Sequence, residues 1–427
     1  MDALLDLAVT LGILAIFRAF TGGRQALGIL SAAAAIGFGL LAKGPVAALI
    51  VLMVIVPWLL WEWRAKGRLA WPAWGWWVAG ILLTLVIVAP WIMAVTAREG
   101  PRALDELVGH YSVGRYLGTI ENQSGPVWYY IPVLILGFFP WIAFLPPAIV
   151  AAWRTATSAP TESMPAHLAR LSLVWALLPF LFFSFANTKL PNYIALEFPA
   201  LALLVGLWFD RVAQGELRRA ALIAATAVPL TIGAVAFAAG VFARDAHLVA
   251  SARSVVPDAE MMAALLFIFS VATWVALLRR PTAGFAPYVL AVGAIAMLGY
   301  TATVAEPHAE RFKPVPQLAA VIRAERQGGD AVAIQGVAGG NALLFYTAPH
   351  VYALDMPYET SRDGDNDPRH VICSARRTFV VTSRHRPSPD PTYGRERKLL
   401  ARADNDVLYL YVDTGAPCAT RVSALTF

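Results

Sequence analysis

The chain has 427 residues, 58% of them hydrophobic and only 15% charged, with a formal net charge of +6 and a mean hydropathy of +0.59. No soluble domain of this length carries so apolar a composition, so the sequence describes an integral membrane protein. Its positive charge sits mostly in short connections between apolar runs, which reads as control of orientation and argues against nucleic acid as a partner.

Runs long enough to cross about 30 Å of hydrocarbon recur along the first three quarters of the chain. They predict ten spans, near Ala3 to Ala19, Ala26 to Leu41, Val46 to Trp61, Trp74 to Val95, Tyr129 to Ala152, Leu171 to Ala186, Ile194 to Phe209, Ala220 to Phe242, Met261 to Leu278 and Ala286 to Val304. Trp and Tyr crowd the ends, as at Trp58, Trp61, Trp71, Trp74, Trp128 and Tyr129. With Met1 outside, the inner connections hold Arg18, Arg24, Arg64, Lys66, Arg68, Arg154, Arg170, Arg211, Arg218, Arg219, Arg279 and Arg280, and the outer ones hold fewer basic residues despite including the longest loop. The positive-inside rule therefore predicts an outer N-terminus and an exported C-terminal segment. A chain that starts outside without a basic n-region is completed by an odd number of preceding spans, so the sequence reads as lacking its N-terminal part.

Asp2 opens the first span at its outer end, where a carboxylate can serve as a metal or amine ligand. Lys43 stands before Gly44-Pro45, which breaks the helix between the second and third spans. The break leaves a helix N-terminus at the outer surface, favourable for an anion, with a lysine beside it. A lysine snorkelling at a tight turn gives the same pattern.

The longest outer loop runs from about Thr96 to Trp128. Pro101 to Leu117 reads as amphipathic helix lying on the bilayer, carrying His110 and Arg115. An arginine fork suits a phosphate, and an adjacent imidazole can donate or shuttle a proton. Pairing of these cations with lipid headgroups is the alternative. Asn122-Gln-Ser124 fits the glycosylation tripeptide, a pattern common by chance.

Lys189 and Tyr193 flank Pro191 at another short outer turn. Lysine can neutralise a phosphate while tyrosine donates to it; a plain hairpin with an interfacial tyrosine is the alternative. Glu197 lies one turn further on, where it can pair with Lys189 or line a polar cavity.

After Val304 the hydrophobicity falls and helix and strand patterns alternate, so the chain divides into 1–304, a transmembrane part, and 305–427, a small exported α/β domain. Gln317 to Gln327 and Asn341 to Thr347 read as helices; Ala331 to Val337, Val371 to Ser374, Thr378 to Thr382 and Val407 to Val412 read as strands. The only cysteines, Cys373 and Cys418, lie in this domain, where an oxidising compartment would let them pair. No phosphate-loop, triad or zinc signature occurs there.

In order, Met1-Asp-Ala-Leu-Leu5, Leu41-Ala-Lys-Gly-Pro45, His110 to Arg115, Pro126-Val-Trp-Tyr-Tyr-Ile-Pro132, Gly137-Phe-Phe-Pro-Trp141, Leu145-Pro-Pro147 and Lys189-Leu-Pro-Asn-Tyr193 form a set. This set resembles the aminoarabinose transferase branch of the polyprenyl-phosphate-dependent membrane glycosyltransferases, relatives of protein O-mannosyltransferases. The likeness covers roughly residues 1 to 210.

The resemblance implies a polytopic α-helical GT-C-like fold in the bacterial inner membrane with a periplasmic C-terminal domain. It implies transfer of a sugar from a polyprenyl-phosphate donor to a lipid or protein acceptor, lipid A modification included. Arg115 and Tyr193 match the residues that hold the lipid phosphate, with His110 nearby; Asp2 matches an aspartate of a metal-containing site; Lys43 and Lys189 match recurrent lysines. The catalytic aspartate is then expected upstream of Met1. Two other classes compete: a transporter or flippase of lipid-linked substrates, which predicts charges at span centres and paired interrupted helices, and an inactive membrane fragment.

Overall fold

The computed structural model describes residues 2–100, 124–158, 162–217, 220–229, 231–232, 235, 250–279, 284–310, 314–335, 341–347, 351–353, 368–383, 396–403 and 408–414. In chain order the membrane part contains α1 (Asp2–Thr21), α2 (Gln25–Lys43), α3 (Val46–Lys66), α4 (Trp74–Glu99), α5 (Tyr130–Gly137), α6 (Leu145–Ser158), α7 (Met164–Phe185) and α8 (Phe198–Ala213). A short apolar helix, α9 (Ala220–Pro229), precedes α10 (Ala250–Leu278) and α11 (Ala286–Tyr300). Among the described residues, 8 helices are long and apolar enough to cross a membrane, and they coincide with eight of the predicted spans. The chain is a multi-pass α-helical membrane protein.

Two predicted spans depart from single straight helices. The run Tyr129 to Ala152 is broken: Val127–Gly137 and Trp141–Ser158 meet at 109°. Pro140 cannot continue the hydrogen-bond ladder, and Pro146 and Pro147 suit the first turn of α6, where their missing N–H groups cost nothing. The span drawn from Ala220 to Phe242 is described as helix only over Ala220–Pro229; most of its remainder lies outside the described residues.

Between lipid-embedded helices packing is driven by dispersion rather than water exclusion, so small residues set the closest approaches. A Cβ added to Gly28 of α2 would lie 2.7 Å from both the Ala15 carbonyl oxygen and the Ala19 Cβ of α1. At Gly39 it would meet the Ala47 Cβ of α3 at 2.7 Å. Around these contacts lie the indoles of Trp58 and Trp175, both 0% exposed; the Trp175 Nε1–H donates to the Leu196 carbonyl at 2.9 Å.

The chain divides into two compact units, Met1–Ala246 with Met261–Leu298, and His247–Glu260 with Gly299–Phe427. In the second, the helices α12 (Glu306–Glu310), α13 (Pro314–Glu325), α14 (Asn341–Thr347) and α15 (Pro368–Ser374) accompany the strands β1 (Ala331–Gln335), β2 (Tyr352–Ala353), β3 (Thr378–Ser383), β4 (Glu396–Ala403) and β5 (Leu408–Thr414). The sheet order is β2-β1-β3-β5-β4, with β1 parallel to β2 and β3 and the remaining pairs antiparallel. Leu318, Ala319 and Ile322 of α13 and Leu343 of α14 pack on one face with Phe379 and Leu410.

The predicted strand Val371 to Ser374 is instead the end of helix α15. Its apolar run is too short for periodicity to separate helix from strand. Pro368 opens it as a helix, and Val371 and Ile372 cover Ala333 and Val380 on the opposite sheet face. Cys373 is disulfide-bonded; Cys418 lies outside the described residues.

Candidate functional site

The α2–α3 turn is set by Gly44, whose φ of 71° and ψ of −154° suit only glycine, followed by Pro45 at the entry to α3. Gly44 N–H closes the end of α2 on the Leu40 carbonyl, so Lys43 is held at the tip of α2 beside the start of α1. Its ammonium donates to Asp2 Oδ1, while the Asn192 side-chain amide donates to Asp2 Oδ2. The Lys43 Nζ also lies 5.2 Å from the centre of the Tyr193 ring. Asp2, Lys43 and Tyr193, predicted from three separate stretches, are thus neighbours at one end of the first unit. Asn192 joins them; sequence reasoning passed over it, although it stands beside Tyr193 in the quoted motif.

The Asp2 and Lys43 side chains are 40% and 32% exposed, so the cluster is reached from water. Tyr193 is carried on the 3-10 turn Pro191–Glu197 and packs on Phe183 at a ring separation of 5.2 Å. His110 and Arg115 lie outside the described residues.

Lys189 has a different environment from the one its motif suggests. It is 5% exposed, and its ammonium donates to the carbonyls of Phe183 at 3.3 Å, Ser184 at 2.7 Å and Ala186. These are carbonyls at the C-terminal end of α7 and its cap residue, where the helical ladder runs out; the Phe183 carbonyl accepts from the Ala186 N–H as well. All three ammonium protons are therefore committed to backbone, and burial lowers the lysine pKa. The Nζ also sits 5.9 Å from the Tyr130 ring centre, and the Tyr130 hydroxyl accepts from Leu190 N–H at 3.3 Å. Lys189 fixes the turn that presents Asn192 and Tyr193, and has no proton left for a phosphate.

Glu197 does not pair with Lys189: it is 1% exposed and its Oε1 has no hydrogen-bond partner. Among the described residues no three of His, Cys, Asp and Glu come together as metal ligands. Both Asp2 oxygens face N–H donors, a poor setting for a divalent cation. The described residues therefore do not fit a metal at Asp2.

At the opposite ends of α3 and α7 lies a buried cluster that no local pattern brings together. Arg170 Nη1 lies 3.2 Å from Glu62 Oε1, His167 Nδ1 lies 2.8 Å from Glu62 Oε2, and Lys66 Nζ lies 3.2 Å from His167 Nε2. Glu62 is 2% and Arg170 1% exposed, and the Arg170 Nε donates to the Ala156 carbonyl at 3.0 Å. Pairing lets these polar side chains enter the bundle, which is why α7 begins at Met164 rather than at the predicted Leu171.

No family model matches the sequence. Over 201 residues the chain is 34% identical to the undecaprenyl phosphate-alpha-4-amino-4-deoxy-L-arabinose arabinosyl transferase of Pseudomonas aeruginosa (strain UCBPP-PA14), covering 46% of this chain and 34% of that protein. The protein of the same name from Erwinia tasmaniensis is 32% identical over 210 residues, 48% of this chain and 36% of its own length. The chain thus spans about a third of the length of these curated relatives in the matched segment. In three dimensions it is similar to ArnT from Cupriavidus metallidurans bound to undecaprenyl phosphate, with a TM-score of 0.68 and 22% identity over 96% of this chain and 74% of that one. The apo form of the same protein gives a TM-score of 0.67 at 20% identity. The chain therefore shares the membrane fold of that protein and, over just under half its length, is similar in sequence to the aminoarabinose transferases.

Proposed function

We propose that this protein takes part in transferring a sugar from a polyprenyl-phosphate donor to a lipid acceptor at the periplasmic face of the inner membrane. The aminoarabinose unit of undecaprenyl phosphate is the donor group suggested by the relatives' names, and lipid A is the proposed acceptor. The observation that carries this reading is the meeting of Lys43, Asn192 and Tyr193 at one water-accessible end of a bundle whose fold is shared with a protein solved with undecaprenyl phosphate.

In such a transfer an acceptor oxygen bonds to the anomeric carbon while the bond from that carbon to the donor phosphate breaks, and the polyprenyl phosphate leaves with the electron pair. Negative charge grows on the departing phosphate, where a fixed cation is most useful. Lys43 and Arg115 are the proposed cations and the Tyr193 hydroxyl a proposed donor, with His110 alongside. The acceptor proton requires a base, and no described residue is assigned that task.

A transporter or flippase is less well supported. The described charged side chains gather at helix ends, in the Asp2–Lys43 and Glu62–Arg170 groups, and among the described residues only one pair of helices forms a bent span. The test is saturable binding of undecaprenyl phosphate to the purified chain in detergent, together with mass spectrometry of lipid A from cells that lack their own transferase and express this protein in its full genomic reading frame. Binding and a lipid A species heavier by one aminoarabinose are expected. Absence of both defeats the assignment.

A further inference from the structure

The Asp2 carboxylate occupies the position that a bound anion would be expected to take. One oxygen accepts from the Lys43 ammonium and the other from the Asn192 amide, and the Lys43 ammonium rests over the Tyr193 ring. A carboxylate and a phosphate monoester present the same feature to these groups: two coplanar oxygens sharing negative charge, each accepting from an N–H donor. The donors come from α2 and from the turn after α7, whereas Asp2 comes from the first turn of α1. Asp2 is in the first turn of α1 and 40% exposed, so rotation about its own side-chain bonds frees the donors without moving any of the three segments.

We propose that Asp2 is an internal stand-in for phosphate: Lys43 and Asn192 form an anion cradle that Asp2 fills in the free protein, and the phosphate group of an arriving polyprenyl-phosphate lipid exchanges with it. This inference rests on the function proposed above and adds Asn192 as a phosphate-contacting residue and Asp2 as a positioning residue that competes with the ligand. The exchange is energetically accessible because both partners of the ion pair are about one-third exposed, and ion pairs of that kind are weak in water. Undecaprenyl phosphate, a monoester carrying up to two negative charges, then outcompetes a single carboxylate at the same ammonium, whereas the sugar-linked donor, a diester with one charge, exchanges with it on near-equal terms. While no ligand is bound, the stand-in keeps the Lys43 charge compensated at the membrane boundary, where an unpaired ammonium is costly. On release, the freed carboxylate returns to the donors and favours departure of the polyprenyl phosphate.

The test uses the full chain in detergent micelles, with undecaprenyl phosphate in one arm and inorganic phosphate in the other. Asp2→Asn, which keeps the shape and removes the charge, is expected to bind undecaprenyl phosphate roughly fivefold more tightly, the factor set by loss of one weak competing ion pair. Asp2→Ala is expected to move in the same direction, and Asn192→Ala to bind about fivefold more weakly. Inorganic phosphate is expected to follow the same order at much lower affinity, which assigns recognition to the phosphate group; a response confined to the lipid still supports exchange, with the isoprenoid supplying affinity. Unchanged or weaker binding in both Asp2 variants, with wild-type binding intact, overturns the stand-in while leaving the proposed function standing. Absence of binding in wild type and variants overturns both. Wild-type binding that needs a divalent cation and is lost in Asp2→Asn makes Asp2 a ligand rather than a competitor and overturns the inference.

Discussion

The Lys43 Nζ lies 5.2 Å from the centre of the Tyr193 ring, although one residue ends the second helix of the bundle and the other sits on the turn after the seventh. That contact joins two motifs which in the sequence are only lysines and a tyrosine near the ends of apolar runs.

Replacing Lys43 by Met keeps the length of the side chain and removes its charge. Binding of undecaprenyl phosphate to the purified chain is expected to weaken about tenfold, about 1.4 kcal/mol, in the range of a hydrogen bond to a charged group. Because the Asp2 pair is partly exposed, the melting temperature in detergent is expected to change little. Equal affinity in the variant would remove Lys43 from the phosphate site.

Lys189→Met is expected to behave in the opposite way. It strips the Phe183, Ser184 and Ala186 carbonyls of a buried donor, which costs about 1–3 kcal/mol of stability. The melting temperature is expected to fall by several degrees, while the folded fraction binds undecaprenyl phosphate within about twofold of wild type. A large affinity loss at unchanged stability would return Lys189 to the phosphate site.

At the other end of the bundle, Arg170→Met leaves Glu62 buried without its guanidinium partner and is expected to cost about 3–5 kcal/mol. The double variant Glu62→Gln with Arg170→Met is expected to recover part of that loss, since the uncompensated charge is gone. Thermal unfolding in detergent reads both; a double variant no better than the single one would show that packing, not charge, holds the contact.

In the second unit, burial opposes ionisation of Asp330, but the guanidinium of Arg377, the Gln327 N–H and the Arg376 guanidinium outweigh it and hold the carboxyl at about 2. The contacts are 2.7 Å to Arg377 Nη2, 2.9 Å to Gln327 N and 3.1 Å to Arg376 Nε. A carboxyl whose folded-state pKa is depressed stabilises the fold fully above the unfolded value near 4 and loses that contribution as pH falls toward about 2. The amount is roughly 2 kcal/mol. The sheet is expected to become sensitive to pepsin between about pH 4 and 2 in wild type. Asp330→Asn is expected to be similarly sensitive across the whole window; a variant with the wild-type pH profile would show that other carboxylates set the acid limit.

Hydropathy was enough to place most of the spans because a helix in lipid must satisfy its own backbone and present apolar side chains, a constraint written residue by residue. It misplaced the start of α7, where Arg170 read as part of an inner connection and is in fact buried, with His167, against Glu62. The bend between α5 and α6 was marked only by its prolines, whose effect on direction depends on what each half packs against.

The same division holds at the candidate site. Gly44-Pro45 showed a break at the tip of α2, and the lysine-to-tyrosine motif showed a second turn, because turn chemistry is local. The partners of the charged groups were not local. Lys43 could have met lipid headgroups, yet it meets Asp2; Lys189 could have met a phosphate, yet it closes the end of its own helix; Glu197 could have met Lys189, yet it does not.

By itself the sequence determined a polytopic helical chain, the positions of most spans, a following α/β region and the turns at which the candidate site residues stand, since each depends on composition or spacing along one segment. The tertiary structure alone decided which of those residues stand together and which protons are already committed. Ion pairs and hydrogen bonds form between helices distant in sequence, and their partners are fixed only when the bundle packs.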